Sequence, residues 1–369
     1  MRRSDDAAAP GHRRHAPAVR IAQVAPLVES VPPRLYGGTE RIVSYLTEEL
    51  VELGHDVTLF ASGDSRTRAR LRAGAPRALR FDRSVRDPVA YHVAMLEQVI
   101  QAAPHFDVIH FHGDWAHLPA FRRQAVPCVT TLHGRLDLPE LQPLFAEFSD
   151  VPVISISDNQ RRPIPWANWI ATIPHGLPRH LLAAPPDGRR EGYLAFLGRI
   201  APEKRPDRAI QLAVKSGHRL KIAAKVDRVD EEYFATTIKP LLNQPGIEFI
   251  GEIAESEKSE FLGRAAALLL PGDWPEPFGL VMIEAFACGT PVLAYRHGSV
   301  PEVVEDGVTG FIVEDEAGAL AAIERLGQLD AERIRGEFDR RFTSRRMAED
   351  YLAIYRLLSQ PPVSRLETV

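Results

Sequence analysis

Two glutamates, Glu276 and Glu284, stand eight positions apart in the run PEPFGLVMIE, on either side of a Pro-Phe-Gly break. Pro275 and Pro277 hold Glu276 in extended chain, and residues 279–287 are good helix formers, so the spacing predicts a helix that starts immediately after the break. Eight helical steps of about 100° would turn the second carboxylate about 80° from the first. The two converge only if Glu276 precedes the helix, as the prolines require. The helix N-terminus would then face a phosphate-bearing ligand. Two cations add to this. In FLGRIAPEKRPD, Arg199 lies just beyond an apolar strand and Lys204 opens the next helix, a pair able to neutralise charge developing on a leaving diphosphate. Exposed helix cations are the plainer reading of Lys204 and Arg205.

A glycine pair, Gly37 and Gly38, follows the first strand in LYGGTER and precedes the first long helix. Its amides could approach a diphosphate closely, with Thr39 as N-cap, and a tight turn without a ligand explains it equally well. His110 and His112 alternate on the strand DVIHFHGDW and so share a face. Both a ligand-facing role, with His112 nearer the strand end, and a hydrogen-bonded core role fit them. His133 in TLHG and His175 in IPHGL also follow apolar strands and precede glycine. Asp114 and Asp158 are acid or base candidates, Asp158 fitting a helix N-cap better. No GxGxxG, P-loop or Gly-x-Ser-x-Gly run occurs, which removes motif support for nicotinamide enzymes, Walker NTPases and serine hydrolases.

These side chains must be carried by a frame, and the frame is legible as an alternation. From Val19 short apolar runs alternate with longer amphipathic ones: VRIAQVA, a helix over 39–53, DVTLFA, a helix over 89–100, DVIHFH, PCVTTLH and VPVISIS. Strands alternating with helices imply a parallel sheet covered on both faces. The alternation stops at the Pro- and Gly-rich segment 178–191 and restarts with GYLAFLG, a helix over 204–216, HRLKIAA, a polar helix over 230–241, GIEFIG, a helix over 255–264 and AAALLLP. Met347, Tyr351, Ile354, Tyr355 and Leu358 recur at helical spacing near the end. The expected division is a disordered tail over 1–18, a first Rossmann-like domain over 19–177, a linker over 178–191, a second over 192–340, a helix within 341–360 and a tail over 361–369. Two doubly wound halves make a cleft between facing strand ends, where such sheets bind ligands.

Composition narrows the function classes. The 369 residues are 45% apolar and 25% charged, with a net charge of −4, which suits a soluble protein of two domains and argues against nucleic acid as the main partner. The only cysteines, Cys128 and Cys288, are far apart and outside any CxxC or Cys/His cluster, so no disulfide framework or zinc site is indicated and a cytoplasmic setting is expected. No segment is apolar enough to span a bilayer. Eight arginines between Arg66 and Arg86 read as a solvated loop and helix face, with peripheral attachment to the inner membrane face or an anionic acceptor as the other readings.

Taken together, YGGTE, HFHGD, TLHG, SISD, IPHG, LGR-x4-K, E-x7-E and GSVPEVVEDGVTGFIV resemble, in this order, the family 4 (group 1) retaining glycosyltransferases of the two-Rossmann GT-B fold. The resemblance covers nearly all of residues 19–358. It implies a metal-independent hexosyl transfer from a UDP-glucose or GDP-mannose type donor, which is a co-substrate and not a cofactor, to a hydroxyl of a sugar, lipid-linked or small-molecule acceptor. By position it implies that Gly37 and Gly38 approach donor phosphates or acceptor, that Arg199 and Lys204 clamp the diphosphate, and that Glu276 binds the donor sugar with amides near Phe278, Gly279 and Leu280. Glu284 would hold the ribose, His112 would contact the transferred sugar, and the last helix would cross back to the first domain. A glycoside hydrolase using Glu276 and Glu284, a sugar-nucleotide epimerase and a non-catalytic nucleotide-sugar binder are the competing readings.

Overall fold

A computed structural model describes residues 17–34, 37–113 and 115–360. Asp114 and the two tail segments 1–16 and 361–369 lie outside the described residues.

Among the described residues the strands fall into two wholly parallel sheets. The first contains β1 (Arg20–Val24), β2 (Asp56–Ser62), β3 (Arg70–Ala75), β4 (Val108–Phe111), β5 (Cys128–Thr131), β6 (Val153–Ser155) and β7 (Trp169–Thr172) in the order β3-β2-β1-β4-β5-β6-β7. The second contains β8 (Tyr193–Ile200), β9 (Leu220–Val226), β10 (Ile247–Gly251), β11 (Ala265–Leu270), β12 (Val292–Tyr295) and β13 (Gly310–Val313) in the order β10-β9-β8-β11-β12-β13. Each order reverses direction beside its first strand, between β1 and β4 and between β8 and β11. Such reversals open a crevice at the strand C-termini. The central strands are apolar on both faces, as parallel strands under helices must be: β4 and β12 are buried throughout.

The arginine-rich segment is largely the exposed loop and turn expected, with Arg66, Arg68, Arg77, Arg83 and Arg86 outside helix and strand and Arg80 in the single turn Leu79–Phe81; a strand interrupts it. Arg70 and Arg72 are exposed on β3, the edge strand, alternating with the half-buried Leu71. Charge on an edge strand discourages pairing with another chain, which accounts for arginine there. The polar helix expected over 230–241 is broken into Glu231–Tyr233, a π-helical turn Phe234–Ile238 and Lys239–Leu241. Pro240 has no N–H and its ring would strike the carbonyl four residues earlier, so the turn widens.

The helix Ser344–Leu358 is capped by the Thr343 side chain, which accepts from the Arg346 amide, and it buries Met347, Ala348, Tyr351, Leu352 and Tyr355. These residues pack into the core of the first domain with Ile21, Leu46, Val108 and Val129. At the strand side of that interface the Gln23 amide donates to the Tyr355 hydroxyl at 2.9 Å, and the Thr131 and Tyr351 hydroxyls are 2.9 Å apart. Segment 178–191 carries no helix or strand, yet it is stapled: the Arg335 guanidinium donates to the carbonyls of Arg179 and Leu182 at 2.6 and 3.0 Å. No helix among the described residues is long and apolar enough to cross a membrane.

Candidate active site

The crevice between the sheets holds a cavity of about 710 Å³. Its second-domain wall includes Arg199, Lys204, Glu276, Glu284 and residues 277–281, and its first-domain wall includes Gly37, Gly38, Glu29, Glu40, His133 and His175.

Glu276 is placed by backbone geometry. The residue lies outside helix and strand, its amide donating to the Trp274 carbonyl at 2.8 Å, and Gly298, with φ 56°, allows the next loop to press against it: a Cβ at Gly298 would fall 2.3 Å from the Glu276 nitrogen. The Ser299 amide donates to the Glu276 carbonyl at 2.9 Å and the Ser299 hydroxyl to the Phe278 carbonyl at 2.8 Å. Gly279, at φ 78°, turns the chain into the helix Leu280–Ala287, where only glycine adopts the left-handed conformation without strain. The Glu276 carboxylate receives the Lys204 ammonium and, at 3.1 Å, the Trp274 indole N–H, while Lys204 also lies 4.4 Å from the centre of the Trp274 ring.

Glu284 sits on that helix, 2% exposed. One carboxylate oxygen accepts from the Lys258 ammonium at 2.6 Å; the other is buried without a partner. Lys258 in turn also meets Glu255 at 3.2 Å, and Glu255 is bridged to Arg41 of the first domain. Lys258 and Arg41 have no local sequence signal, because their partners come from other elements 26 and more than 200 positions away.

Arg199 lies within β8 rather than beyond it, its guanidinium 2.5 Å from Glu203 and 3.3 Å from Asp230. Lys204 does not open a helix. It closes the single turn Pro202–Lys204, and the helix begins at Pro206, because Pro206 bars Arg205 from right-handed helical geometry and Arg205 turns left-handed at φ 54°. The result aims Lys204 at Glu276. The first helix likewise begins earlier than expected: the Arg41 amide bonds to the Gly37 carbonyl, so Gly37 is the cap and Thr39 lies in the first turn.

Four histidines, His110, His112, His133 and His175, pack ring to ring, and His112 and His133 are joined by a hydrogen bond. His110 is fully buried between the Tyr355 hydroxyl, 2.6 Å away, and the Thr131 hydroxyl, 2.8 Å away, and serves the core. His112 is 3% exposed and does not line the cavity. Its Nε2 lies 2.6 Å from the Gln23 carbonyl oxygen and its Nδ1 3.0 Å from His133 Nε2. Burial holds His110, His112 and His175 far below the usual imidazole pKa and His133 down to about 3, so all are neutral. The tautomers follow. The Gln23 carbonyl only accepts, so His112 carries its proton on Nε2; its Nδ1 then accepts from His133 Nε2–H. His133 is left with a lone pair on Nδ1, a buried atom without a protein partner at the cavity wall. His175 stacks on His133 with centroids 5.2 Å apart and meets Phe278 edge-on at 4.9 Å.

Asp158 does not cap through its side chain; its carboxylate accepts from the Thr172 hydroxyl. The amides of Asp158 and Asn159 go instead to Glu302 of the second domain, at 2.7 Å each, and the Ser157 hydroxyl goes to the Pro277 carbonyl at 2.7 Å. Among the described residues no group of three or more His, Cys, Asp or Glu is arranged to hold a metal ion. Both thiols are raised by burial, Cys128 to about 11 and Cys288 to about 12, and are chemically quiet.

Comparison with known proteins agrees with this layout. Residues 36–184 match the model for Glycosyltransferase Family 4 and residues 185–340 that for Glycosyl transferases group 1. A D-inositol 3-phosphate glycosyltransferase of Saccharomonospora viridis is 35% identical over 181 residues, 44% of this chain and 42% of that protein. One from Mycobacterium tuberculosis is 35% identical over 168 residues, 42% of this chain and 32% of that protein. The matched segments thus span less than half the length of these relatives. Three solved structures share the fold. AviGT4, a glycosyltransferase involved in avilamycin A biosynthesis, has a TM-score of 0.68 and 24% identity over 93% of this chain and 99% of its own. Sucrose-phosphate synthase from Thermosynechococcus elongatus has a TM-score of 0.74 and 19% identity, covering 92% and 99%. Anabaena Alr3699/HepE in complex with UDP and glucose has a TM-score of 0.72 and 16% identity, covering 92% and 100%. The fold is therefore GT-B.

Proposed function

The chain belongs to the family 4, group 1 glycosyltransferases, and from that premise we propose that it transfers a hexose, with retention and without a metal, from a nucleoside-diphosphate sugar to an acceptor hydroxyl. The observation that carries this reading is the second-domain wall: two cations, Arg199 and Lys204, two carboxylates, Glu276 and Glu284, and the start of the helix Leu280–Ala287 all border one cavity. A diphosphate replaces the carboxylate partners that Arg199 and Lys204 hold in the free protein. Amides at 279–281 add the partial positive charge of a helix N-terminus. As the bond from the anomeric carbon to the diphosphate oxygen breaks, its electron pair stays on that oxygen, where this charge stabilises it.

Glu276, released from Lys204, accepts hydroxyls of the donor sugar. Glu284 accepts the ribose hydroxyls with the oxygen that has no protein partner. The acceptor oxygen bonds to the anomeric carbon from the face the diphosphate leaves, and its proton passes to a leaving phosphate oxygen. In this scheme His112 fixes the tautomer of His133 and does not touch the sugar. UDP-sugars are the first donors to test, since the Anabaena neighbour is described in complex with UDP and with UDP-glucose.

Calorimetric titration with UDP-, GDP- and ADP-sugars in EDTA tests the reading, followed by NMR of the anomeric configuration of product. One donor should bind at micromolar concentration. Absence of binding by every donor, or an inverted product, would sink it.

A further inference from the structure

The first-domain wall of the cavity contains two carboxylates that the transfer scheme does not use. Glu29 is 4% exposed and Glu40 5% exposed, and both border the cavity beside Gly37 and Gly38. Glu29 packs beneath the glycine pair: a Cβ at Gly37 would lie 3.4 Å from its Cγ. Burial raises the pKa of both carboxyl groups, and the Glu29 charge adds to the rise at Glu40.

The cations on the same wall are already matched. Arg80 donates to Glu29 at 3.1 Å and, across the crevice, to Asp227 at 3.2 Å. Arg41 is bridged to Glu255, and Arg135 donates to Asp137 at 2.7 and 2.8 Å. Arg80 is the one member of the arginine-rich segment that borders the cavity among the described residues. Its neighbours are spent elsewhere: Arg68 pairs with Glu48 and Glu52 at 2.7 Å each, and Arg70 and Arg72 lie on the outer edge of the sheet.

A second observation points to a ligand and to its polarity. His133 Nδ1 and His175 Nδ1 are buried, border the cavity and have no partner in the protein; His175 is only 4% exposed. The hydrogen bonds through Gln23 and His112 leave His133 Nδ1 as an acceptor. Two carboxylates and this lone pair make a wall of acceptors, which complements hydroxyl or ammonium donors. A phosphate dianion or carboxylate offers only acceptors, and on this wall it would have to displace Glu29 from Arg80 or Asp137 from Arg135 to reach a cation.

We infer that the acceptor of this protein is an uncharged or amino-bearing polyol, with Glu29 and Glu40 determining that choice by repelling anionic acceptors. The inference rests on the transferase reading for the word acceptor, but the pocket's preference is measurable without turnover. It also sets this chain apart from the relatives named for D-inositol 3-phosphate, of which the one from Saccharomonospora viridis matches it over 42% of its own length.

The test is calorimetric titration of the full chain, with and without UDP, using two matched pairs: glucose against glucose 6-phosphate, and myo-inositol against its 3-phosphate. At least one neutral member should bind about tenfold more tightly than its phosphate ester, the scale of a single like-charge contact in a partly screened pocket. The double substitution Glu29→Gln with Glu40→Gln, which keeps shape and removes charge, should bring each pair within about threefold. Arg80→Gln should move the ratio the other way, and it carries the test if the double variant does not fold. Tighter binding of the phosphate ester by the unmodified protein, no binding of either neutral sugar, or a ratio unmoved in both variants would overturn the inference. Nucleotide-sugars titrated into the same samples separate the two claims: loss of donor binding with the polyol preference intact removes the transferase reading and leaves the pocket assignment standing.

Discussion

Replacing Glu284 by alanine separates donor recognition from folding, and its size can be worked out from the contacts. The oxygen that accepts from Lys258 contributes to stability, because removal strips a partly buried ammonium of its 2.6 Å partner. Lys258 retains Glu255 at 3.2 Å, so the loss falls below the roughly 3–5 kcal/mol of a fully orphaned buried charge and is about 1–3 kcal/mol. Against this, the second oxygen is buried without a partner, and deleting it relieves a penalty of about 1–3 kcal/mol. The net change in stability is therefore small, about 0–2 kcal/mol. Donor binding has no such offset. A charge-assisted bond from a ribose hydroxyl contributes about 1.5–3 kcal/mol, so the donor Kd should rise about 10- to 150-fold, with kcat falling much less. Calorimetry with the nucleoside diphosphate and with the intact donor, beside a thermal melt of each protein, reads both quantities. A folded Glu284→Ala protein whose donor Kd stays within twofold of the original would refute the ribose assignment.

Glu276→Gln should lower kcat by about 10²- to 10³-fold while the nucleoside diphosphate Kd changes little, because the carboxylate addresses the reacting sugar; equal loss in both would contradict it. Stability should fall with acid. His110, His112, His133 and His175 have folded pKa values below the unfolded value of about 6.5, so below that pH the unfolded chain binds more protons, and stability present above about 6.5 is lost toward about 3, the folded value of His133. Each histidine gives a slope of about 1.4 kcal/mol per pH unit well below 6.5, and a melting temperature flat from pH 7 to 5 would contradict the buried neutral cluster. Tyr355→Phe removes the hydroxyl that meets Gln23 and His110 at 2.9 and 2.6 Å and should cost about 1–3 kcal/mol in denaturant unfolding; a loss under about 0.5 kcal/mol would show the network to be slack.

Much of this architecture could be read from the chain because the controlling signals are local. Apolar runs such as ALLL in β11 sit between helix-spaced segments, and the prolines around Glu276 force it off the following helix. Where the reading failed, the cause was nonlocal or steric. Arg70 and Arg72 are solvated as expected but look like part of a loop until β2 is beside them, since an edge strand needs its neighbour to be recognised. Lys204 reads as helical in the sequence because nothing near it announces the left-handed Arg205, which Pro206 forces and ion pairs with Asp207 and Asp273 accommodate. Asp158 has the composition of a cap, yet the Gln160 amide it would have served donates to the Ser157 hydroxyl at 3.2 Å, and Glu302, 144 positions later, takes the amides of Asp158 and Asn159. His112 and His133 are alike in sequence, each beyond an apolar strand, and only the Gln23 contact places one behind the other. Glu29, Glu40 and Lys258 lie in ordinary polar surroundings, and their importance appears only when the two halves face each other.

The bond between Gln23 and Tyr355 links residues 332 positions apart, and it has a consequence for synthesis. A ribosome delivers β1 first and the helix Ser344–Leu358 among the last described elements, so the first domain emerges with its seat for Met347, Tyr351 and Tyr355 empty. Until that helix arrives, apolar surface on Ile21, Leu46, Val108 and Val129 stands open, worth roughly 1.5–3 kcal/mol for each large side chain left uncovered. The nascent first domain is thus obliged to wait for the second, and a transcript cut before codon 344 should yield an aggregating fragment in place of a stable half.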